Sequence, residues 1–397
     1  MTTYADIINK KKKEWDAPDL MDGAERKRGS KIPFSSPQLN YSTYGGIPRN
    51  AITEFFGPPS GGKSSTAVDI CKNAYKIFTE EHQERIDELH QRIGNEDKKN
   101  KSLQNELEEL VEIGPKKVLY LDLEHSFDME WADKLGIADG SIDIMQPPNI
   151  VAEDLLQAIQ DLVETDEVGL IVIDSIPSLV TKKELDKTLG EATVAPLAGL
   201  LTTFCRKIIP LLTRYNTTLL VINQTRDNLN NPYVQNTPGG QALKFYCSLR
   251  MEFKLDSPVD FLGNALPQKS ENPAGYIVTA RIVKQKTAPY DRKNGSYYLM
   301  AQSGIRLDMD YAQLAIKHYG IIKQAGAWYT ICDPVTSEPM EVGDKIVKVN
   351  GMAAVFEYLQ NNPEYYDKLK TFIYNDIIGG GLEDNQNSEP VEVDEYE

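Results

Sequence analysis

The eight residues from Gly57 to Ser64 read GPPSGGKS, which has the form G-x-x-x-x-G-K-[ST] of a phosphate-binding loop. A short strand pattern precedes it at 51–56, and a helix pattern follows it at 65–71. The glycines allow backbone N–H groups to close around phosphate oxygens, and the helix N-terminus adds its positive end. Lys63 is expected to neutralise the β- and γ-phosphates, and Ser64 to offer its hydroxyl to Mg²⁺. The alternative, a chance glycine-rich turn, does not account for the strand and helix that flank the loop.

Length and composition indicate a globular chain with more than one domain. The 397 residues are 41% hydrophobic and 26% charged. No apolar run approaches the roughly 20 residues that a membrane helix needs, and the N-terminus lacks the apolar core of a secretion signal. The four cysteines lie far apart, which argues against a zinc site or a disulfide framework. We therefore expect a cytoplasmic protein with no membrane partner.

The sequence divides into four parts. Residues 1–31 combine a short helix pattern with a basic linker and are expected to form an N-terminal arm. Residues 32–309 are expected to form the core, and residues 310–378 a small C-terminal domain. Residues 379–397 include seven carboxylates and no lysine or arginine, so a disordered acidic tail is expected there. The net charge of −16 argues against non-specific nucleic-acid binding over the whole surface, but it is compatible with a local basic channel.

A charged segment from about 80 to 113 interrupts the core. Its apolar residues recur at three-to-four spacing on both sides of Gly94-Asn95, and Gly114-Pro115 ends the pattern. This spacing predicts two helices that fold back on each other as a hairpin. Two interpretations are open: a solvated insertion, or a hairpin that binds a partner or a neighbouring subunit.

Three nearly continuous aliphatic runs follow, at 117–124, 170–175 and 218–224. Such runs are typical of parallel strands that helices cover on both faces, and helix patterns lie between them. The sequence therefore predicts an α/β fold with an open, mostly parallel twisted sheet. Ligands of such sheets bind at the carboxyl ends of the strands.

Each of these runs ends in a polar side chain at that edge. Glu124 is expected to orient and deprotonate an attacking water molecule, and Asp174 to act as the second acid beside Mg²⁺. The uncharged amide of Gln224 suits a sensor that contacts the γ-phosphate on one side and the following loop on the other. Ordinary capping at a strand end is the alternative interpretation for each residue.

Two polar loops leave the same side of the predicted sheet. The loop at 225–240 is long for a compact domain, which favours a functional role, and a second loop spans about 181–193. Backbone amides and Arg226 could hold the phosphates of a single strand there, and Tyr233 is available for stacking on bases. Ordinary surface loops are an equally supported interpretation.

Together these segments resemble the RecA family of homologous-recombination proteins over residues 32–365. The more specific matches, in family order and at family-like spacing, are LYLDLEHSFDMEWADKLGI (119–137), LIVIDSIPSLVTKKEL (170–185), VINQT (221–225), PGGQALKFYCSLRMEF (238–253) and KQAGAWYTI (323–331). The resemblance implies a RecA-type P-loop ATPase core, a small N-terminal helical arm at 1–31 that serves in polymerisation, and a small C-terminal α/β domain. It also implies ATP and Mg²⁺ as cofactors.

The resemblance implies roles for individual residues. The expected nucleotide contacts are Gly57, Pro58, Pro59, Ser60, Gly61, Gly62, Lys63, Ser64, Ser65, Asp128 and Trp131. The expected catalytic residues are Lys63, Glu124, Gln224, Lys284 and Lys286, of which the last two reach the ATP of the adjacent subunit. The expected metal ligands are Ser64 and Asp174. The expected DNA contacts are Arg226, Gly239, Gly240, Lys244 and Arg250.

The function that the resemblance implies is DNA-dependent ATP hydrolysis by a helical filament on single-stranded DNA. The filament would pair its strand with homologous duplex DNA and exchange strands in recombination and repair. Single-strand-binding and loader proteins are expected partners, in a bacterium or a phage-infected host cell. Two alternatives remain: a hexameric helicase or translocase on the same core, and a regulator that binds ATP without exchanging strands.

The chain departs from the family pattern in several places. The hairpin at 80–113 has no counterpart in bacterial RecA, and Ala301 stands where RecA has a tyrosine that stacks on the nucleotide. The segment at 225–240 lacks the methionines of RecA, which affects the expected DNA contacts. The acidic tail resembles that of RecA, where it competes with DNA, although a purely solubilising tail is the alternative.

Overall fold

The computed structural model of the chain describes residues 3–15, 30–95, 101–148, 150–187, 196–227 and 235–379. The helices are α1 (Tyr4–Trp15), α2 (Pro37–Thr43), α3 (Lys63–Asn95), α4 (Lys101–Ile113), α5 (Met129–Lys134), α6 (Ala152–Glu164), α7 (Lys182–Leu185), α8 (Pro196–Arg214), α9 (Ala242–Tyr246), α10 (Leu307–Lys317), α11 (Met352–Asn361) and α12 (Pro363–Gly379). The strands are β1 (Lys31–Ile32), β2 (Ile47–Pro48), β3 (Ile52–Gly57), β4 (Lys117–Asp122), β5 (Asp143–Met145), β6 (Val168–Asp174), β7 (Thr218–Gln224), β8 (Arg226–Asp227), β9 (Gln235–Asn236), β10 (Leu249–Val259), β11 (Gly275–Gln285), β12 (Asn294–Met300), β13 (Gly304–Ile305), β14 (Ile322–Ala325), β15 (Trp328–Ile331), β16 (Glu341–Val342), β17 (Lys345–Ile346) and β18 (Lys348–Asn350).

A nine-stranded sheet with the order β13-β12-β11-β10-β3-β7-β6-β4-β5 forms the centre of the fold. The six strands from β10 to β5 pair in parallel, and β10 to β13 pair antiparallel. This sheet confirms the predicted α/β class. The register aligns Gly57 with Gln224 and Asp122 with Asp174, so the loop and the strand-end side chains meet at one edge.

Both faces of the parallel strands are buried, which explains their unbroken aliphatic sequences. All seven residues of β6 are buried. One face packs against α3 in a core that includes Ile70, Tyr120 and Phe253. The other face packs against α6 and α8 in a second core that includes Leu155 and Ile208.

The segment predicted as a hairpin continues the helix that starts at the phosphate-binding loop. Helix α3 runs unbroken for 33 residues, which corresponds to about 50 Å. Helix α4 packs against its distal part, with Leu89 and Leu103 buried and an Arg85–Glu106 ion pair at 3.1 Å. The expected separate first helix is therefore an extension of the loop helix, because neither proline nor glycine interrupts the chain between Lys63 and Ile93.

The C-terminal part forms a third core around α10, α11, α12 and the three-stranded sheet β14-β15-β18. This core includes Tyr298 and Met300 from β12, so it is continuous with the edge of the central sheet. Helix α10 begins at Leu307, close to the predicted boundary at 310. The predicted acidic tail lies outside the described residues from position 380 onwards, as do residues 16–29 of the predicted N-terminal arm and linker. In the described ranges no helix is both long and apolar enough to cross a lipid bilayer.

Candidate active site

The phosphate-binding loop connects β3 to α3 and has little space for side chains. Gly57 has φ of +149°, and a Cβ there would lie 2.1 Å from the carbonyl oxygen of Phe253. Lys63 is buried and folds back over the loop, where its Nζ donates to the carbonyl oxygens of Gly57 at 3.3 Å and Pro58 at 2.6 Å. Burial lowers the pKa of Lys63, and the nearby carboxylates of Asp174 and Glu124 oppose that shift. The ammonium group of Lys63 thus lies beside a loop whose backbone N–H groups have the arrangement that binds an anion.

The carboxylate of Asp174 and the hydroxyl of Ser64 lie next to each other at the phosphate-binding loop. Asp174 Oδ2 accepts hydrogen bonds from Ser64 Oγ at 2.7 Å and from Tyr120 OH at 2.6 Å. Burial raises the pKa of Asp174, and these two hydrogen bonds partly offset the rise. A hydroxyl and one carboxylate fit Mg²⁺, which takes oxygen ligands and completes its octahedron with water and substrate phosphates. The described residues contain no cluster of three His, Cys, Asp or Glu side chains that could bind a metal without such help.

Glu124 and Gln224 meet across the ends of β4 and β7. Glu124 Oε1 accepts a hydrogen bond from Gln224 Nε2 at 2.9 Å and another from the Ser175 hydroxyl. The carboxylate is exposed to solvent, in contrast to the buried Asp174. An exposed carboxylate that is hydrogen-bonded on one oxygen can still accept a proton from a water molecule on the other.

The expected adenine contacts lie beside the loop. Asp128 caps α5 by accepting from the backbone N–H of Glu130 at 2.9 Å and Trp131 at 3.3 Å. The Trp131 indole N–H donates to Ser65 Oγ at 3.0 Å. Sequence reasoning missed Tyr276, which lines a 250 Å³ pocket together with Ser60 to Ser65, Leu255 and Leu299. Tyr276 gave no motif signal, because it reaches the loop through the pairing of β11 with β10 and of β10 with β3, strands that lie far apart in the sequence.

Lys284 and Lys286 lie away from the phosphate-binding loop of their own subunit. Lys284 Nζ donates to the carbonyl oxygens of Lys244 at 2.6 Å and Phe245 at 2.8 Å, and Lys286 Nζ donates to that of Phe245 at 3.1 Å. They cap the end of α9, where Phe245 is 68% exposed. Lys286 N bonds Ser248 O, and Ser248 N bonds Ile52 O, so the lysines lie level with the start of β3. The loop is about 17 Å further along that strand.

Three of the expected DNA contacts lie at the two ends of the loop at 225–240, and a fourth, Lys244, lies on α9. Arg226 lies on β8, which pairs with β9 across the loop, and Tyr233 lies outside the described residues. Gly239 and Gly240 have φ of +89° and +72°. A Cβ at Gly239 would lie 2.6 Å from Leu201 Cδ1, and a Cβ at Gly240 would lie 2.7 Å from Ala198 Cβ. In the other expected loop, Lys182–Leu185 forms α7, and residues 188–195 lie outside the described part.

Arg250 requires a correction. Its side chain is buried, and its Nε forms an ion pair with the fully buried Glu54 on the neighbouring strand β3. The guanidinium carbon also lies 4.6 Å from the centroid of the Phe56 ring. A side chain that is enclosed in this way has no surface to offer to DNA, so the DNA-contact role expected for Arg250 does not fit its place in the fold.

Comparison with known proteins agrees with this geometry. The family model of the RecA N-terminal domain matches residues 94–306, which is more than half of the chain. Protein RecA of Aquifex aeolicus is 29% identical over 376 residues, covering 93% of this chain and 91% of that protein. Protein RecA of Ruminococcus albus is 30% identical over 76% of this chain and 64% of that protein, and protein RecA of Thermus aquaticus is 28% identical over 85% and 83%. The chain belongs to the RecA family of ATP-dependent recombination and repair proteins.

Proposed function

We propose that the chain forms a helical filament on single-stranded DNA and uses ATP and Mg²⁺ to pair that strand with a homologous duplex and exchange strands. The observation that carries this proposal is the hydrogen bond between Gln224 and Glu124, because β7 leads directly from this contact into the loop at 225–240. A group at the γ-phosphate position that draws Gln224 away from Glu124 would therefore also act on the loop.

The residues around the loop suit phosphoryl transfer to water. ATP with Mg²⁺ would supply the γ-phosphoryl group and the charge that neutralises the phosphates. Lys63, now held by two backbone carbonyl oxygens, would turn towards the anion, and Ser64 with Asp174 would hold the metal. Glu124 would accept the proton of the attacking water, and Gln224 would exchange its bond to Glu124 for one to the γ-phosphate position. Trp131, Asp128 and Tyr276 would surround the base.

The site is proposed to be completed by a neighbouring subunit. Lys284 and Lys286 lie about 17 Å along the strand direction from the loop of their own subunit, so a role at ATP requires the loop of another copy. Contact between two different surfaces of the same chain is heterologous, and if it does not close it generates a helix. ATP at such an interface would stabilise the filament, and hydrolysis would loosen it.

The DNA contacts are proposed to be Arg226, Gly239, Gly240 and Lys244 together with backbone amides of the two loops. Base pairing rather than side chains would read the sequence, since these residues offer phosphate contacts and not a base-specific code. Single-strand-binding and loader proteins are proposed partners, and the cytoplasm of a bacterium or of a phage-infected cell is the proposed site of action.

Electron microscopy and a strand-exchange assay test the proposal together. Negative-stain images of the chain with ATP and single-stranded DNA are expected to show helical filaments, and joint molecules are expected when homologous duplex is added. Closed six-fold rings would favour the helicase or translocase and reject the filament. ATP-dependent DNA binding without joint molecules would identify a regulator.

A further inference from the structure

Asn223 is a fully buried amide near the end of an aliphatic strand. It precedes Gln224 in β7, whose sequence is TLLVINQ, and its side chain has no exposed surface. A buried amide must satisfy its donors and its acceptor inside the protein, because an unpaired polar group costs free energy. The partners of Asn223 therefore indicate what the residue holds in place.

Three hydrogen bonds fix the Asn223 amide. Its Nδ2 donates to Glu54 Oε1 at 2.9 Å and to the carbonyl oxygen of Pro238 at 3.1 Å. Its Oδ1 accepts from the backbone N–H of Gln224 at 3.0 Å. Only one orientation serves all three, since a flipped amide would direct its oxygen at a carboxylate and a carbonyl. Asn223 thus joins the backbone of the sensor residue to the C-terminal end of the loop at 225–240.

The Glu54 carboxylate provides a fixed anchor for this junction. It is completely buried on β3, and its second oxygen is bound by the guanidinium of Arg250 on β10. Arg250 also packs on the ring of Phe56, one residue before Gly57. A charged acceptor makes a stronger hydrogen bond to an amide than a neutral one does. The pair of Glu54 and Arg250 therefore holds Asn223 to the same strands that carry the phosphate-binding loop.

The loop end that Asn223 holds is tightly packed. Pro238 is followed by Gly239 and Gly240, at which a Cβ would lie less than 3 Å from Leu201 and Ala198. The Asn223–Pro238 hydrogen bond therefore connects the end of β7 to a closely packed backbone at the C-terminal end of the loop, in addition to the direct chain connection at residue 225.

We propose that Asn223 is a positioning residue that couples occupancy of the nucleotide site to the affinity of the loop at 225–240 for DNA, with the Glu54–Arg250 pair as its anchor. This inference rests on the proposed function, because it assumes that Gln224 senses the γ-phosphate and that the loop binds DNA. The inference adds a connection between Gln224 and the loop through the side chains of Asn223, Glu54 and Arg250, which are buried. Asn223 touches neither nucleotide nor DNA in this arrangement.

The test is Asn223→Leu in the full-length chain, which keeps the side-chain size and removes the three hydrogen bonds. The measured quantity is the ratio of the dissociation constants for a fluorescent oligothymidine in ADP and in a slowly hydrolysed ATP analogue. Coupling of this kind typically amounts to about 5–150-fold, and we expect the variant to reduce the ratio to within roughly threefold of one. Nucleotide affinity without DNA is expected to change by less than about threefold, since the loop residues Gly57 to Ser64 are untouched.

Asn40→Leu is the matched control. Asn40 is another buried asparagine and lies on α2. Its Oδ1 accepts a hydrogen bond from the backbone N–H of Phe34 at 2.8 Å, and its Nδ2 donates to the carbonyl oxygen of Phe34 at 2.7 Å. This variant is expected to lower stability and leave the coupling ratio unchanged. If Asn223→Leu does not fold, Asn223→Ser is expected to show the same loss of coupling.

A wild-type ratio that persists in Asn223→Leu or Asn223→Ser would overturn the inference and leave the proposed function standing. A wild-type chain whose DNA affinity does not depend on the nucleotide would instead remove the proposed function. A loss of coupling in Asn40→Leu equal to that in the Asn223 variants would also overturn the inference, because it would make general destabilisation the cause.

Discussion

Two carboxylates near the phosphate-binding loop have opposite surroundings and therefore different chemistry. Asp174 is buried and bonded to Ser64 and Tyr120, and burial raises its pKa. Glu124 is exposed and bonded to Gln224 and Ser175. An enclosed carboxylate beside a hydroxyl suits a metal, and an exposed one within reach of water suits a base.

Glu124→Gln is expected to reduce the rate of ATP hydrolysis by roughly 10²–10⁴-fold while ATP-dependent DNA binding persists. The amide has nearly the same shape as the carboxylate but cannot take the proton of the attacking water. Phosphate release and the anisotropy of a labelled single strand measure the two activities. Glu130→Gln, a change at an exposed carboxylate on α5, serves as the control and should leave both unaltered. Loss of DNA binding together with hydrolysis would contradict the role of Glu124 as base.

Asp310 gives the stability a predictable dependence on pH. Its carboxyl is fully buried and bonded to Ser36 and Gln38, and burial raises the pKa of Asp310 to about 8. Since this folded-state pKa is above the unfolded value of about 4, the stabilisation is complete below pH 4 and is lost as the pH rises towards 8. Asp310→Asn is expected to be more stable than wild type at pH 8–9 by more than about 1 kcal/mol, the value of one pKa unit. Urea unfolding across this pH range measures the difference.

Asp308→Asn provides the control of opposite sign. Burial raises the pKa of Asp308, but hydrogen bonds from Arg306 and Gln360 outweigh it and lower the pKa overall. This variant is expected to be less stable than wild type at neutral pH. An Asp310→Asn chain that shows the same fall in stability as wild type between pH 6 and 9 would contradict the buried neutral carboxyl.

The sequence predicts residues of the site well when they are consecutive or end a strand. The loop at 57–64 and the side chains Glu124, Asp174 and Gln224 could be placed at one edge before the fold was known. The network of Glu54, Asn223 and Arg250 could not, because its members lie up to 196 positions apart and each resembles an isolated polar residue in a strand. The DNA-contact role expected for Arg250 came from the family resemblance, which does not show that its side chain pairs with Glu54.

At the scale of elements, the long helix α3 links the phosphate-binding loop to the hairpin. Leu89 lies about 39 Å along the helix from Lys63. Leu89 and Leu103 are buried between α3 and α4 but belong to none of the three main cores, so the end of the hairpin is stabilised locally.

Leu89→Ala and Leu103→Ala are each expected to destabilise the hairpin by roughly 2–4 kcal/mol without affecting the core. Hydrogen exchange within 84–110 should accelerate, while exchange in β6 and the rate of ATP hydrolysis stay within about twofold of wild type. Val111→Ala, at a residue that is 57% exposed, should change neither. A global loss of stability would contradict an independent hairpin.

Periodicity identified the parallel strands and the hairpin, but it missed a short exposed strand and a helix whose burial depends on distant partners. Strand β5 is exposed along its length and gave no aliphatic run. Helix α12 completes the third core by packing Leu369 and Ile373 against α10 and α11, which its mixed sequence does not indicate. The continuity of α3 into the hairpin was missed although neither glycine nor proline interrupts the chain between Lys63 and Ile93, because the charged segment from 80 onwards was interpreted as a separate helix.

At the scale of the whole molecule, a loss of ATP hydrolysis after substitution of Lys284 or Lys286 has two possible explanations. Each lysine caps backbone carbonyls of Lys244 or Phe245, so a substitution could act by loosening α9 within its own subunit. The proposed filament instead places them at the ATP of a neighbour. Only the second explanation allows one defective subunit to compensate another.

Mixing Lys284→Ala with Lys63→Ala is therefore expected to restore ATP hydrolysis that neither variant has alone. At a one-to-one ratio, about a quarter of the interfaces would combine an intact loop from one subunit with an intact lysine pair from the next, if subunits mix at random in a heterologous assembly. Phosphate release in the presence of single-stranded DNA measures this activity, and it should depend on the mixing ratio with a maximum near equal amounts. Lys317→Ala, a change at an exposed lysine on α10, is the control: it should be active alone, and Lys63→Ala should only dilute it. If the mixture never exceeds the sum of its separate components, the lysines act within their own subunit, because a loosened α9 cannot be repaired by a neighbour's loop.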